Sequence, residues 1–291
     1  MTLMSNVLTV NGVFYSVKDK IILKDININL KKEESIALIG NNGSGKSTLL
    51  DIIAGDIRPE KGFVSYWGNS QYQKDRIGIL FDNLPLIPLF KVRELIHYYA
   101  SIYNIKYDYL RKQYFDIFNI DKINNSFVNS LSLGEKKRVS LLISIMHEPD
   151  LLIWDEPFSN LDPIIINRIW DAVNRENRSI LFTSHNWDDA VTRATKVCLI
   201  NEGVIIQPEV SVEEILKELP SSKKIIVKSD PDVLTILNDC EYYDNEGDYH
   251  IFLDTNSRMI ESLNKLTTNY SILNVSIKDA YLYKIKHLHN D

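Results

Sequence analysis

Hydrophobic positions follow two rhythms along the chain. Short β-like runs come first, at Leu8–Phe14, Ile21–Ile26 and Ser35–Ile39, and read as strands. The third, apolar after Ser35, ends at Gly40, as a buried strand feeding a turn does. A helix is expected from about Lys46 to just before Gly55, then strands at Phe63–Tyr66 and Ile77–Phe81. From Lys91 to about His147 the rhythm becomes helical, with Tyr and Ile recurring at 3.6-residue spacing. Strand and helix then alternate through Leu151–Trp154, Pro163–Asn177, Ile180–Thr183, Trp187–Arg193 and Val197–Ile200. That order predicts a parallel sheet carrying helices, with the 91–147 stretch as a helical insertion.

Pro220, Ser221 and Ser222 break the pattern, so a boundary is expected between 1–219 and 220–291. Beyond it the order is strand (Lys224–Lys228), helix (Pro231–Asn238), strands (Glu241–Asp244 and Tyr249–Leu253), helix (Ser257–Thr267) and strand (Tyr270–Val275). This βαββαβ order predicts a small ferredoxin-like α+β domain. A last helix is expected at Ile277–Ile285.

Composition narrows the classes. The 291 residues are 44% hydrophobic and 25% charged, an ordinary globular balance. The net charge of −6 argues against a dedicated nucleic-acid binder. Two cysteines cannot build a disulfide framework and fit a reducing compartment. No apolar run approaches the roughly 18 residues of a membrane span. The N-terminus lacks a signal-peptide layout. Any membrane role is therefore expected through a partner.

One stretch carries explicit chemistry. Gly40-Asn41-Asn42-Gly43-Ser44-Gly45-Lys46-Ser47, followed by Thr48, satisfies the phosphate-loop pattern G-x-x-x-x-G-K-[ST] between a strand and a helix. Glycines let backbone N–H groups approach phosphate oxygens, and the following helix aims its positive end at the same anion. Lys46 is suited to reach the β- and γ-phosphates, and Ser47 to ligate Mg²⁺. The expected core is thus a P-loop NTPase with a β-rich N-terminal subdomain, binding ATP and Mg²⁺. The run "LLIWDEP" ends a strand on Asp155, suited to the Mg²⁺ shell, and Glu156, suited to orient or deprotonate the attacking water. His185 ends another apolar strand; alone such a histidine is more often structural, but a strand end at the same edge of the sheet could place it near the γ-phosphate. Ser132 and Glu135 form a capping box before an amphipathic helix, with Gly134 between them, so this helix start is a second candidate anion site.

The layout as a whole resembles the ATP-binding cassette (ABC) ATPases. "LSLGE" stands where that family has its L-S-G-G-Q signature, "SNLD" (Ser159–Asp162) resembles its D-loop, and His185 its switch histidine. The resemblance covers Leu8–Gln207. It implies two cassettes facing head to tail around two ATP molecules, with Ser132 meeting the γ-phosphate in the partner's site. A second cassette, identical or related, is therefore implied. The sequence departs from the pattern at Leu133, in place of the first signature glycine, and at Asp82, where the family usually has a metal-facing glutamine. Strict spacing puts Val17 at the adenine-stacking position, while Tyr15 or Phe14 serves if the following turn is longer.

One cassette on the chain sets it apart from the double-cassette translation factors. The Ser47–Leu131 interval is too short for the coiled coil of chromosome and DNA-repair ATPases. The resemblance then implies a transporter subunit at the cytoplasmic face of a membrane, bound to an integral permease. The tail "ILNVSIKDAYLYKI" resembles the S-L-E-D-V-F ending of the drug, antibiotic and peptide exporter branch, which includes exporters of amphipathic peptides such as phenol-soluble modulins. A regulatory ATPase gating a soluble partner is the alternative.

Overall fold

The computed structural model describes residues 6–81, 86–175, 177–237, 240–253, 258–267 and 269–288. Asp82 lies outside the described residues. Contacts divide the chain into one unit through Glu209 and a second from Val210 onward.

The first unit opens with long strands β1 (Asn6–Val17) and β2 (Lys20–Lys31), then β3 (Ser35–Ile39), helix α1 (Lys46–Ala54), β4 (Lys61–Tyr66) and β5 (Ile77–Leu80). Helices α2 (Val92–Ile102), α3 (Tyr107–Tyr114) and α4 (Leu133–Ile145) form the insertion. The remainder is β6 (Leu151–Trp154), α5 (Pro163–Asn174), β7 (Ser179–Thr183), α6 (Trp187–Arg193), β8 (Lys196–Asn201) and β9 (Val204–Val210). A three-stranded antiparallel sheet, β2-β1-β4, lies beside a six-stranded sheet of order β5-β6-β7-β3-β8-β9. The pairs β5–β6, β6–β7, β3–β7 and β3–β8 are parallel, as the strand–helix alternation requires.

Every residue of β3, β6 and β7 is buried, which is why their middles are apolar, with the polar Ser35, Ser179 and Thr183 only at strand ends. On β2 the buried residues Ile26, Ile28 and Leu30 alternate with exposed ones, so only one face meets the core. That face shares a hydrophobic cluster with Ile36 and Leu38 of β3 and with Leu49 and Ile53 of α1. Helix starts follow local chemistry: Asp162 caps α5 by accepting from the Ile165 amide at 3.0 Å, with Pro163 in the first turn. Helix α5 stops at Asn174, short of the expected Asn177, whose φ of +51° leaves the helical region.

The second unit holds α7 (Val212–Lys217), β10 (Lys223–Lys228), α8 (Pro231–Leu234), β11 (Tyr242–Asn245), β12 (Asp248–Phe252), α9 (Arg258–Leu266), β13 (Tyr270–Asn274) and α10 (Ile277–Leu288). Its sheet has order β11-β12-β10-β13 with every pair antiparallel, the arrangement of a split βαβ domain. Ile225, Val227, Val233, Ile251 and Leu263 form the core. The unit begins ahead of the break expected at Pro220, because α7 packs on α10 and Glu218 accepts from Lys284 at 2.6 Å.

Candidate functional site

Strands β3, β7 and β6 are neighbours and end at one edge. Leu38 pairs with Thr183, and Trp154 with Phe182, so the residues that follow emerge side by side. Carboxyl ends of parallel strands are where α/β sheets bind ligands.

From β3 the chain enters the phosphate loop. A Cβ on Gly40 would lie 2.2 Å from the Ile200 carbonyl oxygen and 2.7 Å from Ser44 Oγ. On Gly45, at φ +103°, it would lie 2.8 Å from Leu23 Cδ2. Neither position admits a side chain. A Cβ on Gly43 would meet nothing within 4 Å among the described residues, but its φ of +79° still favours glycine. Lys46 is 8% exposed and folds back over the loop, its ammonium donating to the carbonyls of Gly40 at 2.7 Å and Asn41 at 3.1 Å. Burial pushes its pKa down, against the pull of the Glu156 and Asp155 carboxylates.

Two observations test whether this cradle fits phosphate. The Ser44 hydroxyl is buried and has no hydrogen-bond partner among the described residues. The N-cap of α1 is Gly45, which supplies no side-chain acceptor for the first-turn amides. Donors left open beside a helix N-terminus suit a multiply charged anion. Ser47 is exposed and Thr48 half-buried on the same first turn, beside the exposed Asn41, Asn42 and Gly43.

The loop is also stitched to the rest of the unit. The Gly203 amide donates to the Ser44 carbonyl at 3.0 Å, and the Lys24 amide of β2 donates to the Gly203 carbonyl at 2.8 Å. A Cβ on Gly203 would lie 2.1 Å from the Ile22 carbonyl oxygen.

From β6 come the acids. Asp155 is 5% exposed, and its Oδ1 accepts from Thr183 Oγ1 at 2.5 Å. Glu156 adopts φ +47°, rare for a residue with a side chain. Its amide donates to Thr183 Oγ1 at 2.9 Å. Its Oε2 accepts from the His185 amide at 3.1 Å and lies 2.6 Å from His185 Nδ1. On α1, the Asp51 carboxyl is pushed up by burial and then by Asp155. Among the described residues no group of three or more His, Cys, Asp or Glu is placed to hold a metal by itself. The oxygens on offer are one or two carboxylates and the Ser47 hydroxyl, a sparse set of the kind that would suit Mg²⁺ shared with phosphates and water.

Two groups stand out among the predicted residues. Lys46, Asp155, Glu156 and His185 converge at the sheet edge. Ser132, Gly134 and Glu135 stand apart at the start of α4. There the Glu135 carboxylate accepts from the Ser132 amide at 2.9 Å and hydroxyl at 3.0 Å, and Ser132 Oγ accepts from the Glu135 amide at 3.3 Å. The Ser132 amide is the first cause of the lowered Glu135 pKa. A Cβ on Gly134 would lie 2.5 Å from the Asn160 carbonyl oxygen, so this glycine is required by a backbone approach. Leu133 is 68% exposed, which explains how a large side chain stands in for glycine. On β1, Val17 is 48% exposed, while Tyr15 packs partly buried on the core.

Thr183, Gly203 and the Asn160 carbonyl were not singled out by the sequence. Thr183 had one available signal: it precedes Ser184-His185 at the end of an apolar strand.

A family model described as "ABC transporter" matches residues 23–159. The Chlorella vulgaris "Probable sulfate/thiosulfate import ATP-binding protein CysA" is 31% identical over 196 residues, 64% of this chain and 83% of that one. The Bacillus subtilis "Uncharacterized ABC transporter ATP-binding protein YhaQ" is 28% identical over 237 residues, 78% of each. Among solved structures, cbiO1 from Clostridium perfringens, described as part of the ABC transporter complex cbiONQ, superposes with a TM-score of 0.62 at 27% identity, over 74% of this chain and 92% of that one. Further relatives are named for import and for export alike.

Proposed function

The chain belongs to the family of ABC transporter ATP-binding proteins, and from that premise we propose that it hydrolyses ATP as the energising subunit of an exporter. It would act by closing on a second cassette when ATP is bound, at the cytoplasmic face of a membrane and against an integral permease. No helix among the described residues is long and apolar enough to cross a membrane. Export is favoured by the tail: Ser276-Ile277-Lys278-Asp279-Ala280-Tyr281 carries the resemblance to the exporter ending.

The observation that carries the ATPase reading is the convergence of Lys46, Asp155, Glu156 and His185 at one sheet edge. The loop amides, the Ser44 hydroxyl and Lys46 hold the β- and γ-phosphates. Ser47 and Asp155 hold Mg²⁺, which neutralises phosphate charge when bound. Glu156 accepts the proton of the attacking water, and His185 fixes the direction of that carboxylate. Ser132 and the α4 N-terminus serve the facing cassette's site. ATP then acts as a ligand with different affinity for the closed and open dimer, so its hydrolysis shifts the population toward opening.

Three measurements test the proposal. The purified full chain should bind ATP with Mg²⁺ and turn it over, and should co-purify in detergent with a multispanning membrane protein. Cells lacking it should retain cargo that wild-type cells release. A chain that binds no ATP at millimolar Mg²⁺ sinks the ATPase reading, and one recovered only with soluble partners sinks the transport reading.

A further inference from the structure

We infer that Thr183 is a positioning residue that couples the metal carboxylate Asp155 to the water-activating carboxylate Glu156. The inference rests on the ATPase reading above and assigns a part to a residue that touches neither nucleotide nor water.

Thr183 is the last residue of β7, is fully buried, and pairs with Leu38 at the end of the strand that feeds the phosphate loop. It thus stands between the strand carrying the loop and the strand carrying the acids. A hydroxyl has one proton to give and lone pairs to offer. Here the proton goes to Asp155 Oδ1 at 2.5 Å, and a lone pair receives the Glu156 amide at 2.9 Å.

Each bond has a separate consequence. The bond to Asp155 uses one carboxylate oxygen and leaves the other for a metal ion, so it fixes which oxygen presents. The bond to the Glu156 amide holds a peptide that sits at φ +47°, where an unsupported side-chain-bearing residue is disfavoured. Two residues further on, the His185 amide holds the other end of the same residue, donating to Glu156 Oε2 at 3.1 Å. Residues 183 and 185 therefore grip Glu156 at its backbone and at its carboxylate. Displacing the 183 hydroxyl would let the acid pair turn together, which disturbs the metal shell and the water position at once. Buried second contacts of this kind govern the geometry of metal ligands.

The test uses the full chain with Ser and Ala at position 183, two variants that lose the same methyl and differ only in the hydroxyl. ATP affinity is measured with a fluorescent analogue with and without Mg²⁺, alongside kcat and KM. Thr183→Ala should bind the analogue without Mg²⁺ as wild type does, but need about tenfold to a hundredfold more Mg²⁺ and lose kcat by a similar factor. Thr183→Ser should restore both. Thr183→Val, with the shape kept and the hydroxyl gone, should behave as Ala. Equal behaviour of the Ser and Ala variants overturns the inference, because the methyl's packing would then be what matters. An unaltered Mg²⁺ requirement in the Ala variant overturns it as well. A wild-type chain without Mg²⁺-dependent turnover would instead bring down the ATPase reading itself.

Discussion

His185 meets Glu156 twice, through its backbone N–H at 3.1 Å and its ring Nδ1 at 2.6 Å, both on the same carboxylate oxygen. A carboxylate only accepts, so Nδ1 carries the proton and Nε2 is the ring atom left for a ligand. His185→Ala keeps the backbone contact and loses the ring. Turnover should fall about a hundredfold, the cost of a misdirected reacting group, while ATP affinity holds. Steady-state ATPase assays beside equilibrium nucleotide binding check this.

Glu156→Gln preserves shape and bonding to His185 but cannot take a proton from water. The rate should fall by at least about a hundredfold. ATP with Mg²⁺ should then trap a dimer on a sizing column. Residual hydrolysis near the wild-type rate would remove Glu156 from its assigned role.

Gly134→Ala places a Cβ 2.5 Å from the Asn160 carbonyl oxygen, with backbone on both sides and no flexible side chain to yield. Overpacking of this kind costs about 1–3 kcal/mol. The melting temperature of the cassette should drop. ATP-driven dimerisation should weaken too, since the start of α4 and the Asn160 turn must move apart. A variant that melts and dimerises as wild type does would show that the Asn160 turn adjusts freely.

Asp279 tests the second unit. It is fully buried at the start of α10, with Oδ1 accepting from the Lys224 ammonium and the Tyr243 hydroxyl. Oδ2 accepts from the Ser276 amide at 2.7 Å and hydroxyl at 2.8 Å. Burial alone would raise its pKa, but the His250 ring, Lys224, Tyr243 and the Ser276 amide together hold it well below the carboxylate range. The folded pKa is thus depressed relative to the unfolded chain. Its contribution is complete above the ordinary Asp pKa, near about 4, and is lost as pH falls through the folded value. Asp279→Asn strands the Lys224 charge and should cost about 3–5 kcal/mol at neutral pH. The gap between wild type and variant should close on acidification. Hydrogen exchange of the β10 and α10 amides across pH reads this directly, and a constant gap would rule the linkage out.

The phosphate loop and α1 were legible because the pattern is contiguous: glycines spaced through one turn between a strand and a helix, and a lysine that reaches back to the carbonyls of Gly40 and Asn41. The capping box at Ser132 and Glu135 was equally local and is present as expected. The split βαβ order of the second unit was legible from rhythm alone. What escaped depends on contacts distant in sequence. Thr183 is an ordinary strand residue until β6 lies beside it. The helix Val212–Lys217 is too short to show a period, and it packs on α10 of the second unit. Strand β9, "VIIQPEV", carries a proline and an acid, and it pairs as the outermost strand of its sheet, where such residues are tolerated.

The turn at Glu202-Gly203 looks like a place where change is free. Both residues have positive φ, +47° and +75°, the mark of a tight hairpin turn between two strands. Protein engineers choose such turns for tags, linkers and new termini, and sequence drift usually collects in them. Here the choice would be a poor one. The Gly203 amide and carbonyl hold Ser44 on one side and Lys24 on the other. A peptide spliced in at this point would leave both sheets intact and loosen the anion cradle from a distance. A grafting screen would record the loss as a defect in nucleotide affinity at a position far in sequence from residues 40–47.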